Sequence, residues 1–592
     1  MAYRAPVADM LFTMTHAAGL AQGIESGLYH DLADGALEAL LEEAAKFAEN
    51  RLAPLNRIGD QTGAKLEGDR VTTAPGWRDA YAQWVDGGWN SVLGVPDFGG
   101  MGLPTLANAA FTEMWNSANM AFALCPLLGF GAIDAVEIHG SEALKDRYLA
   151  KMISGEWSAT MNLTEPQAGS DLSALRTRAE KQADGSYRIT GQKIYITYGE
   201  HDMTDNIVHL VLARLSDAPA GTKGISLFLV PKFLPDGTRN DLRCTGIEHK
   251  LGINASPTCS MSYGDNGGAI GWLIGEENRG LNCMFTMMNS ARLSVGLQGV
   301  AQAELATQAA LAYARERRQG RGSGKGGTSG AAPIIEHPDI RRTIATMRAL
   351  TDASRTICYM TAGALDQSRR LEDKGGAKTA ADRAALLTPV AKAFSTDIGN
   401  EVASMGVQVH GGMGFVEETG VAQIMRDVRI AGIYEGTNGI QSIDLVQRKL
   451  PLGGGAVVRA EIEAMRKSVE QVRATNAPAF GRMGEALGNS VEALSRATDF
   501  MLAALGHAPQ DALAGATPYL RLFGIARGGT ALADLALAAH RLSSTDANPS
   551  NEGRIATARF FAEHVATASS GLEASIVEGA ASVNEPTLIA AE

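Results

Sequence analysis

Short segments rich in β-branched residues occupy one continuous stretch of the chain, and helical patterns lie on both sides of it. Three of these segments, each bounded by Gly, Pro or Asp, are predicted as strands: GSYRITGQKIYITYG (185–199), NIVHLVLARL (206–215) and GISLFLVPKFL (224–234). Apolar residues at helical spacing continue to about residue 155 and return from about residue 285. Because strands and helices are segregated rather than alternating, the sequence predicts an α+β fold that is mostly α.

The length of the chain requires several domains, since 592 residues exceed what one hydrophobic core organises. After residue 450 the linker PLGGG leads into an Ala-rich region. Its predicted helix VEALSRATDFMLAALG is amphipathic, with an apolar face at Val491, Leu494, Met501 and Leu505. The predicted parts are an N-terminal arm (1–35), a helical domain (36–155), a strand domain (156–285), a helical bundle (286–450) and an additional helical domain (451–592).

Charge and cysteine usage exclude several classes of function. Asp and Glu outnumber Lys and Arg by 65 to 53, so the chain has no general attraction for nucleic acid. The five cysteines lie far apart without a Cys-x-x-Cys pair, which predicts no metal site and favours a reducing, cytoplasmic compartment. Pro6 and Asp9 precede any apolar run, so no secretory signal is expected. The longest apolar run, 120–133, is shorter than a membrane span and contains Pro126, so it predicts buried core.

A glycine-rich segment, GSGKGG (322–327), matches the spacing of the dinucleotide-binding fingerprint. That fingerprint needs a strand before it and a helix directly after it. Here a helical pattern precedes the glycines and TSGAAP follows them, and Gln319 stands where a P-loop requires Gly. We therefore interpret residues 319–333 as a flexible surface loop.

A single carboxylate, Glu435, lies in AGIYEGTNGIQ (431–441), on a glycine-rich interruption between two helical patterns. Taken alone, this arrangement favours a helix cap, because acids, Thr and Asn are common where one helix ends and another begins. The preceding His410, in VQVHGGMG, is by position the first candidate for a catalytic histidine, although a single His beside glycines is more often structural.

Two further polar stretches precede this loop in the chain. MNLTEPQAGSDL (161–172) joins the first helical region to the strands, and its hydroxyls and turn-forming backbone suit a polar heterocycle or a phosphate. GQKIYITYG (191–199) is a strand pattern that places Tyr195 and Thr197 on one face by two-residue alternation. Each stretch alone is also compatible with an ordinary polar loop or a half-exposed strand.

Together, in this order and at these separations, the three stretches closely resemble the acyl-CoA dehydrogenase family over roughly residues 36–450. TEPQAGSD and IYEGTNGIQ carry most of the resemblance. It implies a helical N-terminal domain, a middle β-barrel domain and a C-terminal four-helix bundle, with FAD between the barrel and the bundle. It also implies an enzyme that removes the α-proton of an acyl-CoA and transfers the β-hydride to flavin N5, giving a trans-2-enoyl-CoA.

The resemblance also implies a role for individual residues. Glu435 matches the catalytic base, and its backbone N–H, together with a ribityl hydroxyl of the flavin, matches the donors that hold the thioester carbonyl. FAD contacts within the subunit match Leu163, Thr164, Ser170, Tyr195, Thr197 and Thr437. FAD contacts from the neighbouring subunit match Arg317, Gln408 and Gly412. Substrate contacts match Ser170, Arg292, Tyr434 and Gly436.

The chain departs from the family pattern at some of these positions. Tyr195 stands where many members have Trp, and Asn289 replaces a common acid near Arg292. Many members continue from Arg317 with Phe-Gly, whereas this chain has further arginines nearby, so Arg318 or Arg321 could take the role of Arg317. The cross-subunit contacts imply a homo-oligomer that is at least a dimer.

The ends of the chain narrow the resemblance to a bacterial subgroup of the family. YRAPVADMLFTMTHAAGL and the additional helical domain match this subgroup, which includes enzymes that oxidise 3-methylmercaptopropionyl-CoA during dimethylsulfoniopropionate breakdown. The implied electron acceptor is electron-transferring flavoprotein, and an acyl-CoA oxidase that uses O₂, with the same fold and base, stays an alternative. A DNA-binding relative of the fold is disfavoured, because residues 451–592 contain 11 Lys and Arg against 15 Asp and Glu.

Overall fold

The structure is a computed structural model that describes residues 3–321, 331–543 and 548–588. The glycine-rich segment GSGKGG, part of the predicted surface loop, lies outside the described residues. Within them, helices precede and follow a block of strands, which confirms the mostly α, α+β fold.

Helices and one short hairpin build the first part of the chain. Its elements are α1 (Val7–His16), α2 (Leu20–Glu25), α3 (Ala36–Phe47), α4 (Ala53–Thr62), β1 (Lys65–Glu67), β2 (Arg70–Thr72), α5 (Trp77–Asp86), α6 (Thr105–His139) and α7 (Glu142–Ser154). The β1–β2 hairpin differs from the purely helical prediction, because three-residue strands are too short to show an alternating pattern. α6 bends at Asn119, whose Oδ1 accepts a hydrogen bond from Phe122 N at 3.0 Å.

A small closed barrel follows. Its strands are β3 (Trp157–Asn162), β4 (Arg178–Lys181), β5 (Tyr187–Thr197), β6 (Asn206–Leu215), β7 (Ile225–Pro231), β8 (Leu242–Ile247), β9 (Thr258–Tyr263) and β10 (Ala269–Ile274). β5, β4, β6, β7 and β10 pair in that order, and β10 pairs with β5 again, which closes the ring. β9 and β8 extend the sheet from the second half of β5, and β3 pairs in parallel with β6.

Both faces of the central barrel strands are buried, which explains their nearly continuous apolar sequence. On β6, Val208 and Leu210 pack outward in a cluster with apolar residues of α6 and α7. Val211 and Ala213, at the alternate positions, belong to the cluster inside the barrel. A strand that is covered on both sides needs apolar residues at successive positions, as NIVHLVLARL has.

A helical bundle follows the barrel. Its helices are α8 (Gly280–Glu316), α9 (Pro338–Arg370), α10 (Lys374–His410), α11 (Val421–Val428) and α12 (Asn438–Asp444). α8, α9 and α10 pack on one another and on α6. α8 begins before the predicted domain boundary at residue 286, so one continuous helix leads from the end of the barrel into the bundle.

The additional domain is helical throughout its described residues. Its helices are α13 (Ala456–Thr475), α14 (Met483–His507), α15 (Pro509–Ala514), α16 (Ala516–Ser543), α17 (Pro549–Phe560), α18 (Ser569–Glu578) and α19 (Ala580–Val583). α16 joins this domain to the bundle, since it packs on α9, α10 and α12. The predicted apolar face of α14 is buried except for Leu505, which is half-buried.

In the part of the chain that the structure describes, two helices, α6 and α16, are long and apolar enough to cross a membrane. Most of the apolar window of each is buried inside the protein, 83% in α6 and 94% in α16. Burial in the protein core therefore accounts for their composition, and the predicted burial of residues 120–133 is confirmed.

Candidate active site

Glu435 lies on a short irregular loop between α11 and α12. After α11 the chain makes a 3₁₀ turn, Arg429–Gly432, and α12 begins at Asn438. Thr437 is the N-cap of α12, because its Oγ1 accepts a hydrogen bond from Ile440 N at 3.3 Å. The cap of this helix is therefore Thr437, and Glu435 lies on the loop before it.

Gly436, directly after Glu435, has a left-handed backbone with a φ of 70°. A Cβ at this position would lie 2.5 Å from Gln441 Nε2 and 3.5 Å from Arg292 Nε. Gln441 Nε2 donates to the Gly436 carbonyl at 3.1 Å, so the side chain that occupies this space also holds the loop. Glycine is required here, and the sharp turn that it permits orients the neighbouring Glu435.

Burial and two cations determine the ionisation of Glu435. The side chain of Glu435 is exposed at the surface of this single chain, but protein atoms crowd around its carboxylate, and the resulting loss of hydration raises its pKa. Arg292 and Lys392 act in the opposite direction and offset part of the rise in pKa. A carboxylate whose pKa is raised in this way is suited to accept a proton near neutral pH.

Arg292 lies on α8 directly behind Gly436 and is only 8% exposed. Its Nη1 lies 3.7 Å from Asp444 Oδ2 and 3.5 Å from Asn289 Oδ1. Among the described residues, none accepts a hydrogen bond from Arg292 Nε. A buried donor without an acceptor costs free energy unless a ligand supplies one, so Arg292 fits the predicted substrate contact.

Tyr434, on the other side of Glu435, connects the loop to two long helices. Its hydroxyl donates to Gln298 Oε1 on α8, and Gln298 Nε2 donates to Asn116 Oδ1 on α6 at 3.1 Å. Burial raises the pKa of Tyr434 far above the physiological range, so its hydroxyl stays neutral. The predicted substrate contacts at Tyr434, Gly436 and Arg292 thus surround Glu435.

A buried carboxylate, Glu165, organises the TEPQAGSD segment after β3. Lys193 Nζ donates to Glu165 Oε1 at 2.9 Å and to the Leu163 carbonyl at 3.0 Å. Glu165 accepts further hydrogen bonds from Thr177 N and Oγ1, Arg176 N and Gln167 Nε2. Burial opposes ionisation here, but Lys193 and these hydrogen bonds outweigh it and lower the pKa of Glu165.

The predicted flavin contacts in this segment border that network. Leu163 is buried, Thr164 is half-buried and Ser170 is exposed. Ile194 N donates to the Thr164 carbonyl at 3.0 Å, which holds the segment beside the part of β5 that carries Tyr195. The structure therefore brings two separated motifs of the sequence into contact.

A β-bulge on β5 turns Tyr195 outward. The pairing of β5 with β9 shifts register between Lys193 and Ile196, and Tyr195 has a positive φ of 59°. The residue is 60% exposed, and Thr197, two residues further along β5, is half-buried. A left-handed backbone is uncommon for tyrosine, and such residues cluster at functional sites. An exposed aromatic ring at this position fits the flat ring system of a flavin.

A second group of predicted FAD contacts, Arg317, Gln408 and Gly412, is exposed at the far end of the bundle. The ends of α8 and α10 meet there, because Tyr313 stacks on His410 with ring centroids 4.3 Å apart. His410 is buried and its Nδ1 interacts with the Gly406 carbonyl at 2.7 Å, so the contacts of this ring are structural.

The second group of predicted FAD contacts lies far from the predicted substrate contact Arg292 within one chain. From Arg292 to Arg317 the axis of α8 advances by roughly 37 Å, at about 1.5 Å per residue. Residues at the two ends of α8 therefore cannot contact the same flavin ring. Within a single chain, the structure does not bring Arg317, Gln408 and Gly412 together with Glu435.

Sequence reasoning missed two residues of this site, Lys392 and Asn438. Lys392 is fully buried on α10, and its Nζ donates to Asn438 Oδ1 at 2.8 Å. The signal that could have identified it is a lysine inside the largely apolar run LLTPVAKAFS, because a buried lysine requires a partner. Asn438 carries no such signal, since asparagine is common in any turn.

Family models match each structured part of the chain. They describe an acyl-CoA dehydrogenase N-terminal domain (35–156), middle domain (160–265) and C-terminal domain (278–450), and an acetyl-CoA dehydrogenase C-terminal-like domain (460–586).

Similar proteins span nearly the whole chain. A 3-methylmercaptopropionyl-CoA dehydrogenase of Ruegeria pomeroyi is 48% identical over 95% of this chain and 96% of that protein. ACDH-11 of Caenorhabditis elegans, solved with C11-CoA, has a TM-score of 0.77 at 19% identity, over 97% of this chain and 95% of that chain. An acyl-CoA dehydrogenase of Bacillus anthracis, solved with FAD, has a TM-score of 0.73 at 22% identity, over 92% of this chain and 88% of that chain. By its sequence and its fold, this chain belongs to the acyl-CoA dehydrogenase family.

Proposed function

We propose that this protein, an FAD-dependent acyl-CoA dehydrogenase, uses Glu435 as its base to oxidise 3-methylmercaptopropionyl-CoA and other short-chain acyl-CoAs to trans-2-enoyl thioesters. The observation that carries the assignment of the base is the position of Glu435. It is a desolvated carboxylate on a glycine turn, with the predicted substrate contacts on both sides and a buried arginine behind it.

The chemistry follows from the residues around this carboxylate. Glu435 accepts the α-proton of the acyl chain, and its backbone N–H donates to the thioester carbonyl, where negative charge develops. Arg292 adds positive charge behind the loop. A bound FAD would supply the acceptor for the β-hydrogen of the acyl chain, which leaves as a hydride. Leu163, Thr164, Tyr195 and Thr197 would hold its ring system against the barrel.

The substrate proposal is supported by the Ruegeria pomeroyi relative, which aligns over nearly the full length of both chains. Steady-state kcat/KM values over a panel of acyl-CoAs test it. We expect 3-methylmercaptopropionyl-CoA and butyryl-CoA to be the best substrates. A long-chain acyl-CoA with a kcat/KM roughly tenfold higher than both, a difference of about 1.4 kcal/mol in transition-state binding, would contradict the proposal.

We further propose a cytoplasmic homodimer or larger oligomer that passes electrons to electron-transferring flavoprotein. The exposed group Arg317, Gln408 and Gly412 supports cross-subunit FAD binding, and apolar side chains beside it, with Phe415 90% and Met413 49% exposed, support a subunit contact. The five cysteines, all buried and free, are compatible with a reducing compartment. Peroxide formation at the rate of substrate oxidation would instead favour an acyl-CoA oxidase.

Substitution of the base tests the mechanism. Glu435→Gln keeps the size of the side chain but removes the basic oxygen, so FAD and acyl-CoA should still bind. Anaerobic reduction of the flavin by substrate should fall by roughly two to four orders of magnitude, the scale of general-base catalysis.

Glu418→Gln is the matched control, because Glu418 is exposed on a turn before α11. It should leave both FAD content and flavin reduction at the parental level. If the Glu435→Gln variant reduces its flavin at close to the parental rate, Glu435 is not the base.

A further inference from the structure

A buried lysine approaches the loop of Glu435 from α10. The ammonium group of Lys392 is removed from water, and its Nζ donates to Asn438 Oδ1 at 2.8 Å. An ammonium in such surroundings is stable only when it is hydrogen-bonded and close to negative charge. The carboxylates that favour its charged form are Glu435 and Asp397.

Asn438 connects this lysine to the loop. Its Oδ1 also accepts from Thr396 Oγ1 at 3.2 Å, and its Nδ2 donates to Asp397 Oδ1 at 2.7 Å. Because both ends of the amide are engaged, Asn438 has one orientation. It is the first residue of α12, so these hydrogen bonds hold the end of the Glu435 loop against α10.

Charged groups face this loop from several elements. They are Arg292 on α8, Lys392, Asp397 and Glu401 on α10, Asp444 on α12 with Arg448 and Lys449 after it, and Arg521 on α16. Arg292 pairs with Asp444, and Arg521 donates to both carboxylate oxygens of Glu401. Only Arg292 and Lys392 among these cations act directly on Glu435.

We propose that Lys392 is a positioning residue for Glu435, which orients the loop through Asn438 and keeps the carboxylate ionised in a desolvated site. This inference rests on Glu435 being the base. Burial lowers the pKa of Lys392 to about 8, in part offset by Glu435 and Asp397, so its charge is present at neutral pH. Without that charge, desolvation of Glu435 would be opposed by Arg292 alone.

The pH dependence of anaerobic flavin reduction tests the proposal in the FAD-loaded enzyme. Lys392→Met removes the charge but retains the length of the side chain. Its rate should fall roughly tenfold more on the acid side of the profile than at alkaline pH, the scale expected for loss of one neighbouring charge. At alkaline pH only the smaller, pH-independent effect of the lost hydrogen bond to Asn438 should remain. Lys250→Met is the matched control, because Lys250 is a half-buried lysine that donates to the Ser256 carbonyl in the barrel domain. Its profile should coincide with that of the parent.

Two further variants separate charge from structure. Lys392→Gln is also neutral but can still donate to Asn438, and its acid limb should move to higher pH as well. Lys392→Arg keeps the charge, so its acid limb should stay at the parental pH even if its rate is lower.

Two outcomes would overturn the inference. In the first, both neutral variants release FAD or lose activity by the same factor at every pH, as a purely structural residue would. In the second, their profiles match the parent. Neither outcome affects the assignment of the base, which the Glu435→Gln variant tests independently.

Discussion

Glu435 and Glu165 are both glutamates in crowded surroundings, yet their pKa values shift in opposite directions. Glu165 accepts a hydrogen bond from Lys193 and several more from backbone and side-chain donors, so its ionised form is favoured. Desolvation of Glu435 outweighs the attraction of Arg292 and Lys392, so the pKa of Glu435 is raised and its carboxylate is a stronger base. Environment alone thus gives one carboxylate a structural role and the other the properties of a base.

This difference predicts the pH dependence of flavin reduction. A base acts only when it is deprotonated, and the pKa of Glu435 is raised, so the reduction rate should increase with pH through a value above that of a solvated glutamate, about 4.3. Anaerobic single-turnover measurements across acid pH, with FAD content checked at each point, provide the test. If the apparent pKa on the acid side of the rate profile were equal to or below the pKa of a solvated glutamate, the desolvation of Glu435 would be contradicted.

At the scale of elements, glycines on α16 determine how closely the additional domain approaches the bundle. A Cβ at Gly524 would lie 2.2 Å from Phe394 Cδ2 on α10, and a Cβ at Gly528 would lie 2.9 Å from Ala353 Cβ on α9. These contacts leave no room for a side chain. α16 also packs on α12, so the helix that follows the Glu435 loop is covered by the additional domain.

A pair of identical substitutions tests this packing. Gly524→Ala should lower stability by about 1–3 kcal/mol, because a methyl group there displaces Phe394. Gly553→Ala is the control: Gly553 lies on the exposed surface of α17 and a Cβ there meets nothing within 4 Å, so alanine should raise stability by about 0.5–1 kcal/mol. Thermal unfolding should show a lower Tm than the parent for Gly524→Ala and a higher Tm for Gly553→Ala. The same change in Tm for both variants would show that α16 does not pack closely on α10.

Elements with a strong pattern could be predicted from the sequence. The strands at 185–199, 206–215 and 224–234 are confirmed as β5, β6 and β7, because alternation or a β-branched run is a local property. The buried run at 120–133 is confirmed in α6 for the same reason. The closure of the barrel by β10 and β5 has no local signal, since it depends on pairing between strands far apart in the chain.

In the predicted site, too, local features could be predicted from the sequence, whereas contacts between distant segments could not. The glycine turn drew attention to Glu435, but alone it favoured a helix cap, and only the resemblance of three separated stretches to the family predicted a base. Its partner Lys392 could not be paired with it, because nothing in the sequence shows that α10 passes behind the loop. The bulge that turns Tyr195 outward was equally hidden, since it arises from a register shift against β9.

At the scale of the whole molecule, the N-terminal arm contacts the additional domain. Arg554 on α17 pairs with Asp9 on α1 at 2.7 Å, and its guanidinium lies 3.9 Å over the ring of Phe12. The arm and the additional domain, the features that set this chain apart from shorter relatives, are thus in contact. We infer that they are stable as a pair rather than as separate additions.

The proposed substrate contact Arg292 lies in the first half of α8, and the exposed Arg317 directly follows the last residue of this helix. If Arg317 and Gln408 serve the FAD of the neighbouring subunit, each catalytic centre is built from residues of two copies of the chain. Two alleles that are each inactive could then complement one another. A mixed dimer of one Glu435→Gln chain and one chain with Arg317→Ala and Gln408→Ala has one centre with both defects and one with neither.

Such a mixed dimer, purified through two different tags, should regain about half of the parental activity, since a two-fold dimer has two centres. Both parent homodimers should be inactive, the first for lack of a base and the second for lack of FAD. If the arginine and glutamine instead served the FAD of their own chain, every centre of the mixed dimer would carry a defect, and no activity would return. Complementation between two inactive chains would thus follow from the length of α8, which separates Arg292 from Arg317 within one chain.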